Sequence, residues 1–297
     1  GKYSPAGRLA QTWYKSEYEL APIECYDIIE NDMTYLYYRG KPLYPFGHGL
    51  SYAKFEYSDF NVKENGDVIS VSLDVANVSE TDSDEVVQIY FRMENPSVKR
   101  PLRQLVAFAR ERIEGGRTRH FEFDIKKSEL RFYDVSRESF AVEQGRYTFM
   151  AGASSEDIRL TKTIDVSGEI IPPRELCKGV KAKNYDGKYG TKMKYSKKLE
   201  QHYMLGGGLI YNNCVLGEAD SIEIVCGSRV NTGKITVRYG GETLCEAEVK
   251  PTVDVTEFET VTAQFDKAVL AGIDREKPAV FELLMPEQIY ILGFRTY

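Results

Sequence analysis

The chain has 297 residues, of which 42% are hydrophobic and 28% are charged, as in an ordinary globular protein. That length predicts about two or three domains. Acidic residues (45) outnumber basic ones (39), and the net charge of −6 argues against general binding to nucleic acid, which needs a basic surface. The sequence contains no apolar run of about eighteen residues, so no membrane span is predicted.

Residues 1 to about 40 are rich in aromatic side chains, among them Trp13, and show no helical spacing of apolar residues. The segment begins at Gly1 without a methionine or a signal peptide, and we expect a piece of a longer protein. A segment that cannot close a core by itself must lie against other protein. We expect that surface to belong to a separate chain, with self-association of two copies as the alternative.

Residues 42–52 read Pro-Leu-Tyr-Pro-Phe-Gly-His-Gly-Leu-Ser-Tyr. The prolines and glycines exclude a regular helix or a central strand, whereas the apolar side chains are unnecessary in a solvated linker. We therefore predict a tight connector between two domains, with Phe46 and Tyr52 largely buried. His48 is expected to pack or hydrogen-bond across this junction, and one of the two glycines is expected to have a positive φ.

From about residue 53 to residue 167, apolar and polar residues alternate in short runs. The run from Ile69 to Val75 is typical, since every second side chain is apolar. About seven such runs, separated by turn residues, predict an antiparallel β-sandwich. The only helix-like stretch is a single turn from Ser128 to Phe132.

The junction resembles that of family 3 glycoside hydrolases, which include β-glucosidases and β-xylosidases. Residues 35–38 and 42–52 resemble the link between the α/β-sandwich domain and the fibronectin-III-like domain of that family. Residues 5–9 resemble the end of the sandwich domain, although Ala10 stands where a proline commonly follows. Thr12-Trp13-Tyr14 favours the xylosidase-like branch.

This resemblance implies that residues 1–52 are the tail of an α/β-sandwich domain plus the junction, and that residues 53–167 are a fibronectin-III-like domain. It implies that the partner is the catalytic part of the same glycosidase, present in the same protein or as a separate chain. The catalytic carboxylates of the family fall upstream of residue 1, so no catalytic residue is expected in this chain.

Gly168, Pro172 and Pro173 indicate a linker at about residues 168–178. A second alternating region occupies residues 179–297, and Gly240-Gly241 between two of its runs predicts a β-hairpin. The predicted fold class is therefore all-β, with two sandwiches preceded by an extended remnant of an α/β domain.

Residues 206–211 and 288–294 resemble parts of a family 6 carbohydrate-binding module, which is a β-jelly roll. The resemblance implies a sugar site at Tyr203, as a stacking ring, and at Gln288, as an amide that binds hydroxyl groups; an ordinary rim tyrosine is the alternative for Tyr203. A ligand tryptophan of that family is replaced by Val255. β-Glycans are the implied ligands.

No cofactor and no metal is expected. The first strand of the second region carries Lys181 and Lys183 where the family 6 modules usually have calcium-binding glutamates, and an ammonium group cannot replace an oxygen ligand. The five cysteines lack paired spacing and predict free thiols, which favours a cytoplasmic location of the bacterial type over secretion.

Eight lysines occur between residues 178 and 198, with Asp186 as the only acid. Such a run is usually a solvated face; an acidic glycan or the acidic face of a partner is the alternative.

The sequence thus predicts a non-catalytic C-terminal part of a family 3 glycosidase that docks the catalytic domains. The alternatives are a stand-alone pair of glycan-binding modules and a scaffold for oligomer contacts.

Overall fold

The computed structural model describes residues 4–23, 25, 27–252 and 257–297. The chain forms two compact units: the first comprises Gly1–Tyr133 and Phe140–Ile170, and the second Asp134–Ser139 and Ile171–Tyr297. None of the helices in the described ranges is long and apolar enough to cross a membrane.

The first unit is built on two antiparallel sheets. Its strands are β1 (Phe55–Asn65), β2 (Val68–Asn77), β3 (Ser83–Met93), β4 (Gln104–Ile113), β5 (Thr118–Lys126), β6 (Phe132–Asp134), β7 (Ser139–Ala141), β8 (Gly145–Gly152) and β9 (Ile158–Val166). One sheet has the order β1-β2-β5 and the other β4-β3-β8-β9, while β6 and β7 pair with each other. The helix α1 (Thr34–Tyr37) precedes β1.

Strand β2 shows why the sequence folds this way. Its side chains alternate strictly, and Ile69, Val71, Leu73 and Val75 are all buried. Because successive side chains point to opposite faces of a strand, this alternation directs one apolar row into the space between the sheets. The same core receives side chains from β3, β5 and β8.

The second unit contains ten strands and a short helix. They are β10 (Arg174–Glu175), β11 (Val180–Lys181), β12 (Gly187–Tyr189), β13 (Lys192–Ser196), β14 (Gln201–Val215), β15 (Ser221–Ser228), β16 (Gly233–Tyr239), β17 (Glu242–Val249), β18 (Glu259–Gln264), α2 (Lys267–Gly272) and β19 (Ala279–Thr296). The predicted hairpin at Gly240-Gly241 is confirmed, since both glycines have positive φ and connect the paired strands β16 and β17.

Two long strands, β14 and β19, pair with each other along two separate stretches and fold the ten-stranded sheet over on itself. Their pairing shifts between Leu205 and Gly207, where Gly206 and Gly207 both have positive φ. On one side of this bend β19 pairs with β15, and on the other it pairs with β16. The two halves enclose one apolar core.

The prediction of an all-β chain is confirmed. The lysine-bearing strand β11 also occurs as expected, and it pairs with β19. Cys214 and Cys226 are buried in the core of the second unit, where burial raises the pKa of each thiol to about 12.

Candidate functional site

Residues 4–13 run beside residues 43–52 in the first unit, and we call this pair of segments the arm ribbon. Its two segments are joined by hydrogen bonds from Leu9 N to His48 O (2.9 Å), from Gly47 N to Leu9 O (2.7 Å) and from Trp13 N to Tyr44 O (2.9 Å). The His48 ring is half-buried and lies 5.2 Å from the Tyr44 ring.

Phe46 anchors the arm ribbon to the sandwich. Its ring is half-buried and stacks on Tyr35 at 4.1 Å between ring centres, and its carbonyl accepts a hydrogen bond from Ser155 N (2.9 Å). Gly47 follows with a φ of +80°, as the sequence predicted. The amide of Gln88 donates to Gly47 O at 3.1 Å.

The prediction that Tyr52 is buried is wrong, because this side chain is 65% exposed. The neighbouring residues explain the difference: Ser51 hydrogen-bonds to Ser83 (3.0 Å) and Ala53 is buried, so the alternating backbone directs Tyr52 outward. Leu50 is 70% exposed and Trp13 48% exposed. The arm ribbon therefore presents several large apolar side chains to solvent.

In the second unit, Tyr203 and Gln288 lie in different environments. Tyr203 is only 6% exposed, and its ring packs edge-on against Phe258 (5.9 Å) and Tyr290 (5.7 Å). Gln288 is half-buried. In this conformation the Tyr203 ring offers little area for stacking, and the assignment of both residues to a sugar site stays a prediction. Val255 lies outside the described residues.

A different tyrosine of the second unit presents its ring to solvent. Tyr189 of β12 is paired with Gly208 of β14, and its ring lies against that glycine, since a Cβ there would come within 2.2 Å of Tyr189 Cζ. The side chain is 50% exposed. Burial of its remaining surface raises the pKa of Tyr189, and the Glu282 carboxylate adds to this effect while Arg238 opposes it.

The surroundings of Tyr189 are mixed in polarity. Gly208 is paired with Leu284 of β19, and Leu284 with Thr236 of β16, so these residues continue the row across the sheet. The side chains of Glu282 and Arg238 approach to 3.8 Å and are both partly exposed. We call this set, Tyr189, Leu284, Thr236, Glu282 and Arg238, the Tyr189 face. It combines an open aromatic ring with a carboxylate and a guanidinium group.

Neither unit shows a constellation of catalytic or metal-binding side chains. In the part of the chain that the structure describes, no group of three or more His, Cys, Asp and Glu side chains could hold a metal ion. His120 contacts Asp74, and the His202 ring lies 5.1 Å from the Tyr195 ring.

Comparisons with known proteins agree with the fold. A family profile for the fibronectin type III-like domain matches residues 85–155. The thermostable β-glucosidase B of Acetivibrio thermocellus is 33% identical over 186 residues, which cover 57% of this chain and 24% of that protein. A xylan 1,4-β-xylosidase of Xylanibacter ruminicola is 33% identical over 165 residues, which cover 54% of this chain and 19% of that protein.

Solved structures give the same answer. The family 3 β-glucosidase of Bifidobacterium adolescentis superposes with a TM-score of 0.52 at 27% identity, covering 58% of this chain and 27% of that one. The matched part of this chain is the C-terminal region of a family 3 glycoside hydrolase. The predicted relationship is thereby confirmed, and the family 3 region contains the fibronectin-III-like domain. The chain spans about a quarter of the length of these curated relatives.

Within the family 3 region, a buried ionic network fastens the arm ribbon to the sandwich. Arg8 Nη2 lies 3.1 Å from Glu85 Oε2, and the Tyr57 hydroxyl donates to Glu85 Oε1 at 2.8 Å. Burial raises the pKa of Glu85, although Tyr57 and Arg8 favour its charged form. A carboxylate held in this way has its hydrogen-bonding capacity occupied by structural partners.

Sequence reasoning missed two features of these sites. The contact of Arg8 with Glu85 joins positions 77 residues apart, and no local pattern connects them. Tyr189 is placed on Gly208 by the pairing of β12 with β14, which also depends on the fold. The only available signal for the second feature was the run Gly206-Gly207-Gly208, which indicates a close approach of other groups to the backbone.

Proposed function

We propose that this chain is the non-catalytic C-terminal portion of a family 3 enzyme that hydrolyses β-linked glucosides or xylosides. In this proposal the arm ribbon docks against the catalytic domains. The observation that carries it is the set of exposed apolar side chains on one ordered ribbon: Trp13, Leu43, Tyr44, Leu50 and Tyr52.

The physical argument concerns the clustering of these side chains. Single exposed apolar residues are normal on protein surfaces, whereas a group of them marks an interaction surface. Here all five lie on two hydrogen-bonded segments. Large aromatic and aliphatic side chains at such a surface are typical anchors of a stable interface. The relatives of this chain are longer enzymes, which supports a partner in the same protein.

The test is to mix this chain with the upstream part of the same glycosidase and to measure complex formation by size-exclusion chromatography. We expect a complex with the native chain and at least about a tenfold weaker one with Leu50→Ser/Tyr52→Ser, since each anchor typically contributes more than 1 kcal/mol. Phe108→Ser/Phe140→Ser is the matched control, because both rings are equally exposed on the same unit but lie outside the arm ribbon. Equal effects of the two double variants would reject the proposal, and a dimer of the chain alone would favour the oligomer alternative.

For the second unit we propose a family 6-like carbohydrate-binding module that contacts a neutral β-glycan through the Tyr189 face. The open ring supports this function because aromatic faces pack on the C–H face of a pyranose, while Glu282 and Arg238 supply partners for hydroxyl groups.

Calorimetric titration with xylan and β-glucan oligosaccharides tests this second proposal. Tyr189→Ala should abolish binding, and Gly208→Ala should weaken it by displacing the ring. Gln288→Ala should leave it unchanged if the Tyr189 face is the site. Loss of binding in Gln288→Ala alone would instead support the site predicted from the sequence.

A further inference from the structure

The run of lysines identified in the sequence does not form a uniform surface. Two of its eight members have acidic partners: Lys178 lies 3.0 Å from Glu175, and Lys181 lies 2.6 Å from Glu138. The only acid within the run, Asp186, is buried and paired with Arg174. Its charge is therefore directed into the second unit and does not neutralise the remaining lysines.

Four of the lysines lie together on a hairpin formed by residues 192–205, which we call the lysine hairpin. Strand β13 pairs there with the beginning of β14, and the turn between them consists of residues 197–200. Among the described residues, none of the four forms an ion pair, and all are exposed: Lys192, Lys194, Lys197 and Lys198. Glu200 is the only acid of the hairpin.

The register of the hairpin fixes the spacing of these charges. Lys192 is paired with Leu205 and Lys194 with Tyr203, so both lysines lie on the same face of the strand, about 7 Å apart. Lys197 and Lys198 continue the positive charge into the turn. Like charges held this close repel each other unless an anion lies between them, and this repulsion favours binding of a repeating anion.

An aromatic group accompanies the charges. Tyr195 is 53% exposed and pairs with His202, with their ring centres 5.1 Å apart. Met193 on the same face of β13 is also largely exposed. An open ring beside ammonium groups suits a chain of sugars that carries carboxylates. It suits an acidic protein surface less well, because such a surface provides no flat C–H face for the ring.

We propose that the lysine hairpin binds an acidic polysaccharide, with the four ammonium groups contacting uronic acid carboxylates and Tyr195 stacking on a sugar ring. The site goes beyond the proposed neutral-glycan contact at the Tyr189 face and uses different residues. The rest of the chain is acidic enough to give a net charge of −6, so the positive charge is a local property of the hairpin. Exposed ion pairs of this kind are weak singly and screened by salt, which predicts salt-sensitive binding.

The experiment is affinity electrophoresis of the whole chain in native gels containing polygalacturonate, with unsubstituted xylan as the neutral polymer. We expect retardation by polygalacturonate that decreases as salt is added. Replacing the four lysines of the hairpin by glutamine should weaken binding roughly tenfold or more. Tyr195→Ser should weaken it while leaving its salt dependence intact.

The matched control removes the same charge from exposed lysines elsewhere, as Lys63→Gln/Lys126→Gln/Lys162→Gln/Lys250→Gln. Its retardation should equal that of the native chain. Equal losses in the two fourfold variants would show a general charge effect and overturn the proposal, as would the absence of retardation of the native chain. Self-association that the hairpin variant abolishes, without retardation by polygalacturonate, would identify a second copy as the partner and also overturn it. Xylan binding through Tyr189 is read separately, so either proposal can fail alone.

Discussion

Gly47 is held by its surroundings as well as by its own conformation. A Cβ at this position would lie 2.0 Å from Gln88 Oε1 and 2.9 Å from Tyr90 Oη. Gln88 cannot move freely, since its amide nitrogen donates to Gly47 O and to Ala153 O (2.6 Å), and its oxygen accepts from the Tyr90 hydroxyl. The positive φ adds a second penalty for any residue with a Cβ.

Gly47→Ala should therefore lower the free energy of unfolding of the first unit by about 2–4 kcal/mol, as the sum of backbone strain and a disrupted buried hydrogen bond. Gly116→Ala is the control, because Gly116 also has a positive φ (+69°) but no atom within 4 Å of an added Cβ. It should lose only about 1 kcal/mol. Denaturant unfolding measures both, and equal losses would show that the Gln88 contact contributes nothing.

His120 provides a pH-dependent contact on the same unit. Its Nδ1 lies 2.5 Å from Asp74 Oδ1, and this carboxylate is the main cause of the raised pKa of His120, with Glu122 contributing. A histidine whose pKa is raised by folding stabilises the fold below its unfolded pKa, and this contribution is lost as pH rises through the folded pKa. Asp74→Asn should lower the His120 pKa, as measured by NMR titration, and flatten the pH dependence of stability. An unchanged titration would contradict the assignment.

At the scale of elements, the arginine of β10 is the counter-charge of a buried acid. Arg174 Nη2 lies 3.3 Å from Asp186 Oδ2, and Asn212 N of β14 donates to the same oxygen at 2.7 Å. Both charged side chains are buried. Burial raises the pKa of Asp186, and Arg174 opposes that rise.

Arg174→Met should cost about 3–5 kcal/mol in the unfolding free energy of the second unit, because it leaves the Asp186 carboxylate buried without a counter-charge. The double variant Arg174→Met/Asp186→Asn should recover most of this loss. Since the pKa of Asp186 rises further without Arg174, the single variant should be least destabilised at low pH, where the carboxyl group is protonated. A loss that is independent of pH and is not recovered in the double variant would contradict this account.

Sequence patterns predicted the strands better than they predicted the bends. The alternation in β2 is a local property with a period of two residues, and it was sufficient to identify the buried row from Ile69 to Val75. The fold-over of β14 and β19 depends on pairing between residues about 85 positions apart, such as Leu205 and Tyr290, together with the positive φ of Gly206 and Gly207. No local period encodes such a pairing.

At the scale of the whole molecule, the site residues were harder to predict than the fold. The composition of the junction correctly indicated a packed segment, and Phe46 and Gly47 occupy it. Tyr52 was misjudged because an apolar residue type does not show which way its side chain points. Tyr203 was chosen by its position beside a glycine run, whereas Tyr189 is the ring that lies on Gly208. Exposure of a ring is decided by the packing of neighbouring strands.

The last prediction concerns activity. A glycosidase needs two carboxyl groups on either side of the scissile bond, about 5–5.5 Å apart for retention and wider for inversion. Of the acids in this chain, Glu85 has the most suitable environment for a general acid, since it is buried with a raised pKa in a cleft that Asp157 and Glu56 also line. Its two oxygens, however, are occupied by Arg8 and Tyr57.

We therefore expect the isolated chain not to hydrolyse aryl β-glucosides or aryl β-xylosides, and we expect Glu85→Gln to have the same background rate. The relevant measurement is the steady release of the aryl group by highly purified protein, with the Asp157→Asn variant as a second comparison. Turnover that persists through purification and disappears in Glu85→Gln or Asp157→Asn would place catalysis in this chain. Background rates in all three proteins, together with activity after mixing with the upstream part of the enzyme, would assign catalysis to that part and a docking role to the arm ribbon.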